Sequence, residues 1–202
     1  GRTVECNLSA ASLESPGMFS FIEEEIRRTG ADPLDLVFEI TETALMTDLR
    51  VGAEFARSLA GLGCGLAIDD FGTGFGSLVY LKKLPITQLK IDIEFVRDLA
   101  TNQANRDVVE AIVRLARAFN VHTVAEGIED DATLECVRAA GVDFGQGFYF
   151  GRPAPIGPLP GRCTNELPPS TSDPGWAQVN TQAGRPDRAE RVAPDGVAVD
   201  GC

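Results

Sequence analysis

Two adjacent carboxylates, Asp69 and Asp70, stand inside the run Gly65 to Leu78, GLAIDDFGTGFGSL, between small or apolar residues and a loop carrying Gly72, Gly74 and Gly76. Acids at the carboxyl end of a buried strand occupy the place where α/β folds collect their chemistry. The pair also fits a plainer role, because Asp caps helices and glycine supplies the positive φ of turns. Repetition separates the two roles. Asn7, Glu39, Lys90 with Asp92, Glu126 and Gln146 each stand at or near the end of a further strand-like segment.

A parallel barrel or sheet carries all such ends to one rim, so at least five carboxylates would crowd around a single lysine. Like charges a few ångströms apart raise one another's pKa and oppose folding unless protons or cations intervene. Oxygen-only donors suit Mg²⁺ or Mn²⁺ rather than zinc or copper. Two such ions sharing one carboxylate form a clamp for in-line attack on a phosphodiester. Lys90 would orient the attacking water or neutralise developing charge. Any one of these residues alone reads as solvated surface charge; their joint placement does not.

The elements that must position these groups follow from periodicity. Thr3 to Ser9 alternates and reads as a strand ending near Asn7, and Met18, Phe19, Ile22 and Ile26 recur at helical spacing up to Gly30. Leu36 to Thr41 is a second strand that delivers Glu39 and then Glu42. Val51, Phe55, Leu59 and Leu62 form the next helix face, with Gly61 and Gly63 at its end. After the Gly65 strand and its loop come a short helix around Leu78 to Leu84, a strand Gln88 to Asp92, and a long helix striped by Val108, Val109, Ile112, Val113, Ala116 and Phe119. His122 to Gly127 is a fifth strand, Asp131 opens another helix closed by Gly141, and a sixth strand lies near Val142 to Phe144. Strands alternating with amphipathic helices predict βαβ units and a parallel sheet.

At 202 residues and 44% hydrophobic content the chain supports one sizeable core. The net charge of −12 excludes a groove tracking a nucleic-acid polymer, which needs a basic footprint. Five scattered cysteines without CxxC and a single histidine, His122, argue against zinc or a disulfide framework and place the chain in a reducing cytoplasm. No apolar run has the length of a membrane span. From about Gly157 the sequence turns rich in proline, with seven from Pro158 onward, and loses periodicity. Residues 157–202 are therefore expected to form a disordered tail after a domain of residues 1–156. The start at Gly1, already close to a strand, leads to the expectation of a fragment.

Six stretches occur in order: NLS at Asn7, FEITE through Glu39 and Glu42, DDFGTGFGSL from Asp69, LKID from Leu89 to Asp92, TVAEGIE from Thr123, and DFGQGFYFGRP from Asp143 to Pro153. Together they resemble the EAL domain, a family of cyclic di-GMP phosphodiesterases on a modified TIM barrel. The resemblance implies that Asn7, Glu39 and Asp69 bind one divalent ion and Asp70 and Asp92 a second, with Asp69 bridging. It implies that Lys90 holds the attacking water, that Glu126 is the general base and that Gln146 stands beside it. Glu42 would anchor the glycine loop, which in this family also links the site to homodimerisation. Gly76 stands where a serine is common. The Glu-Ala-Leu motif that names the family, whose glutamate is a metal ligand and whose following arginine contacts a substrate phosphate, is absent. With six strands in place of eight, the resemblance therefore implies an incomplete barrel with exposed edges, prone to associate, and inactive by itself.

Three functions compete at this stage. The first is a phosphodiesterase using two Mg²⁺ or Mn²⁺ ions to linearise cyclic di-GMP to pGpG. The second is a non-catalytic cyclic di-GMP receptor or protein-interaction module on a degenerate EAL fold. The third is an unrelated Mg²⁺ barrel enzyme acting on phosphorylated metabolites; it requires a phosphate-binding glycine turn near the last strands, for which QGFYFGRP is too aromatic.

Overall fold

The computed structural model describes residues 3–72, 78–153 and 177–178. Six parallel strands follow one another across a sheet in chain order, β1 (Val4–Leu8), β2 (Leu36–Thr41), β3 (Gly65–Phe71), β4 (Gln88–Ile91), β5 (His122–Ala125) and β6 (Phe144–Gly145). A two-residue β7 (Ala177–Gln178), not anticipated in the tail, pairs in parallel with β6. Residues 154–176 and 179–202, which include the rest of the tail expected over 157–202, lie outside the described residues, as do Gly74 and Gly76. Among the described residues β1 and β7 are the outer strands and do not meet, so the sheet is open.

Helices fill the crossovers: α1 (Ala10–Glu14) and α2 (Met18–Thr29) after β1, α3 (Glu42–Thr47) and α4 (Leu49–Leu62) after β2, α5 (Leu78–Lys83) after β3, α6 (Ile93–Val96) and α7 (Gln103–Ala118) after β4, and α8 (Asp131–Ala139) after β5. Their starts are set by short polar side chains. Asp48 accepts from the Arg50 and Val51 amides at 3.0 Å each, Asn102 caps α7 and Asp130 caps α8. Two of them stop at glycines in left-handed conformation, Gly30 after α2 and Gly63 after α4. Gly61 lies inside α4 rather than ending it, because the chain needs only one residue with positive φ to turn back. The short helices α1, α3 and α6 were not legible, being too brief to show a period.

Strand alternation divides the sheet into two faces. Phe38, Ile40, Leu66, Ile68, Leu89 and Ile91 pack with Leu45, Leu59, Val109, Ile112 and Ala116 of the helices into one core. The intervening residues share the opposite face: Glu5 and Asn7 on β1, Val37 and Glu39 on β2, Ala67 and Asp69 on β3, Gln88 and Lys90 on β4. The register sets Asn7 opposite Glu39, and Thr41 opposite Asp69. No described helix is long and apolar enough to cross a membrane.

Candidate active site

Lys90 is the hub. It is 3% exposed, and its ammonium lies 2.6 Å from Glu126 Oε1, 2.9 Å from Glu39 Oε2 and 3.5 Å from Asp69 Oδ1. The four side chains come from four neighbouring strands or strand ends, and the sheet order alone makes that meeting possible. Burial by itself would lower the lysine's pKa, but the charges of Glu126, Glu39 and Asp69 outweigh it and hold the group well above the usual range. It remains an ammonium at any working pH.

Glu126 follows β5, its amide bonded to the Ile91 carbonyl at 3.1 Å. Its Oε1 also accepts from Gln146 Nε2 at 2.6 Å. Gln146 is brought there by backbone: its amide donates to the Ala125 carbonyl at 2.8 Å, and its own carbonyl receives the Ile128 amide at 3.0 Å. This close approach requires Gly147, where a Cβ would sit 2.2 Å from the Ile128 carbonyl oxygen. Burial, then the carboxylates of Asp69 and Glu39, push the Glu126 pKa up against the opposing pull of Lys90.

Consecutive strand residues normally point to opposite faces, yet Asp69 and Asp70 serve one rim. The reason is a register shift between Ile68 and Phe71, together with a φ of 55° at Asp70. The bulge turns the second carboxylate back toward the first, and the Asp70 amide closes on Asp69 Oδ1 at 3.1 Å. One oxygen from each of Asp69, Asp70 and Glu126 falls within 4.8 Å of the others. Burial, then the neighbouring Asp69 and Asp92, raise the Asp70 pKa. Asp92 lies against Asp70 and caps α6 through Oδ1, which accepts from the Glu94 amide at 2.6 Å.

The donor set fits a hard divalent cation. It is carboxylate and amide oxygen throughout, and Glu39 Oε1 and Gln146 Oε1 are buried without a hydrogen-bond donor. Asn7 is exposed at the rim, one strand from Glu39. Glu42 opens α3 almost fully buried, with Oε2 lacking a donor; the loop it was expected to anchor, residues 73–77, lies outside the described residues. Beside Glu126 and Gln146 opens a cavity of about 300 Å³, walled by Ile93, Glu129, Phe148 and Phe150. Phe148 carries the Arg152 guanidinium 4.5 Å above its ring, and Tyr149 donates to Asp131 at 2.6 Å. Phe148 and Phe150 were missed as site residues although their motif was noted, because an aromatic turn carries no sign of what it faces.

An open α/β sheet with its acids gathered at the carboxyl rim defines the class. The EAL domain model matches residues 1–153, and the chain belongs to that family. A relative described as the bifunctional diguanylate cyclase/cyclic di-GMP phosphodiesterase MucR of Pseudomonas aeruginosa is 39% identical over 152 residues, covering 75% of this chain and 22% of that protein. The structure of PaMucR phosphodiesterase in complex with c-di-GMP superposes with a TM-score of 0.73 at 38% identity, covering 76% of this chain and 62% of that one. A calcium and cyclic di-GMP complex of Klebsiella pneumoniae BlrP1 gives a TM-score of 0.70 at 30% identity, over 75% of this chain and 39% of that one. The chain spans between 18% and 23% of the length of the first curated relatives it matches.

Proposed function

We propose that this chain carries the catalytic rim of a phosphodiesterase that opens cyclic di-GMP to linear pGpG with two Mg²⁺ or Mn²⁺ ions. The observation that carries the proposal is the convergence of Asp69, Asp70 and Glu126 around Lys90, with a buried Glu39 oxygen left without a partner. Asn7, Glu39 and Asp69 would hold one ion and Asp70 and Asp92 the second. When bound, the ions would polarise the phosphodiester and acidify the attacking water.

The protein groups divide the remaining work. Glu126 Oε1 is occupied by Lys90 and Gln146, which leaves its second oxygen to take the proton of the attacking water. Its upward-shifted pKa makes it a better proton acceptor than a free carboxylate. Water adds to one phosphorus and one P–O ester bond breaks; the departing oxygen takes up the proton that Glu126 accepted and becomes a hydroxyl, so that the ring opens to pGpG. Lys90, fixed as an ammonium, fixes the Glu126 orientation and offsets negative charge as the anionic substrate enters. The cavity of about 300 Å³, with Ile93, Phe148 and Phe150 as apolar walls, would take a base of the substrate, and Glu129 offers an acceptor in its lining. Glu42 would anchor the 73–77 loop and couple it to a homodimer, and the location proposed is the cytoplasm.

The alternative reading is a receptor or interaction module that binds cyclic di-GMP without cleaving it. Incubation of the chain with cyclic di-GMP and Mn²⁺, resolving substrate from pGpG by chromatography, decides between them. Turnover that Asp69→Asn reduces at least a thousandfold establishes the phosphodiesterase; binding without turnover, also in an upstream-extended chain, establishes the receptor.

A further inference from the structure

Outside the residues already assigned, the most unusual group is Glu5. It lies on β1 two residues before Asn7, so strand alternation puts both on the site face. Its register partner across the sheet is Val37, buried and apolar, which offers no hydrogen bond. The Glu5 carboxyl reaches past it and lies against the carboxylate of Glu39. Neither Glu5 oxygen has a donor, and Glu39 Oε1 has none either. Three oxygens of two adjoining acids are thus buried with nothing to satisfy them, on a glutamate that is 2% exposed and on its neighbour.

Of these two acids Lys90 satisfies only Glu39 Oε2, and three buried oxygens of two adjoining carboxylates left without a donor are a costly arrangement. A hard cation between them removes the cost in one step, because each oxygen becomes a ligand. We propose that Glu5 is a further ligand of the divalent-cation centre, sharing with Glu39 the ion nearest β1. This rests on the metal-dependent reading above and extends it to a residue that the motifs do not include. An apolar side chain would serve packing better at this position, as Val37 does next to it.

The test is a Mn²⁺ titration of the full chain, followed by the loss of the free-ion paramagnetic resonance signal and by calorimetry, with thermal melts run with and without Mn²⁺. Glu5→Gln is expected to weaken Mn²⁺ binding about tenfold or more. Its metal-free melting temperature should equal or exceed that of the parent, and its Mn²⁺-induced rise should shrink. Glu5→Ala serves the same comparison if the glutamine variant does not fold. Parental Mn²⁺ affinity in the Glu5 variants, alongside loss of binding in Asp69→Asn, overturns the Glu5 assignment and leaves the metal centre standing. No Mn²⁺ binding by the parent at millimolar concentration overturns both.

Discussion

Lys90 balances three carboxylates in a place where water cannot, so its removal isolates the cost of their repulsion. Lys90→Met should destabilise the metal-free protein by about 3 kcal/mol or more, because it leaves buried charges without a partner. Mn²⁺ should restore part of that loss, which paired chemical denaturation curves with and without the ion will show. Glu5 gives the pH dependence. Its folded-state pKa of about 8 lies above the unfolded value of 4.5, so between these values the native state binds more protons than the unfolded chain. Stability from this group is complete below about pH 4.5 and is lost as the pH rises toward 8. The metal-free melting temperature should therefore fall from pH 5 to pH 8, and Glu5→Gln should flatten that slope; an unchanged slope would show that Glu5 is solvated. These features differ in how visible they were. An acid or lysine at a strand end announces itself by type and place, whereas Glu5 stands mid-strand among ordinary alternation, and only the neighbouring strand turns it into half of an acid pair.

At the scale of elements, the site depends on two backbone devices. The bulge in β3 sets Asp69 and Asp70 on one rim, and Gly147 lets the β6 turn touch the Ile128 backbone. A Cβ at position 147 would stand 2.2 Å from a carbonyl oxygen, so Gly147→Ala must push the turn away and carry Gln146 from Glu126. We expect a loss of about 2 to 4 kcal/mol in stability by equilibrium unfolding, in the range of steric overpacking at a tight backbone contact. The 2.6 Å hydrogen bond from Gln146 to Glu126 should be lost with it, since it depends on the position of that turn. Helix caps predict smaller effects. Asp48→Ala should cost about 1 kcal/mol by the same measurement, because two amides at the start of α4 lose their acceptor. Strands and long helices were legible because their periods repeat; the bulge was not, since a pair of aspartates before a glycine loop looks the same with or without it.

Among the described residues the sheet is open, and no described strand pairs with the outer edge of β1, on which Val4 is exposed. Free edges pair with other chains. The chain should therefore self-associate in light scattering coupled to size exclusion, and Val4→Lys, which places a charge on that edge, should raise the monomer fraction severalfold. A protein that is monomeric with Val4 intact would refute this account of the edge. The rim is assembled by neighbours in the chain order of the sheet: Glu39 from β2, Asp69 and Asp70 together from β3, Lys90 from β4 and Glu126 from the end of β5.

The sequence by itself determined the parallel α/β architecture and placed Asn7, Glu39, Asp69, Asp70, Lys90, Asp92, Glu126 and Gln146 at or near strand ends, because hydrophobic period and residue type are local properties. Tertiary structure alone decided which of these touch, that Lys90 joins Glu39, Asp69 and Glu126, that a left-handed backbone at Asp70 re-aims its carboxylate, and that Glu5 adjoins Glu39. Contact between strands far apart in the chain depends on register and on the reach of side chains across it, and neither is written in any single segment.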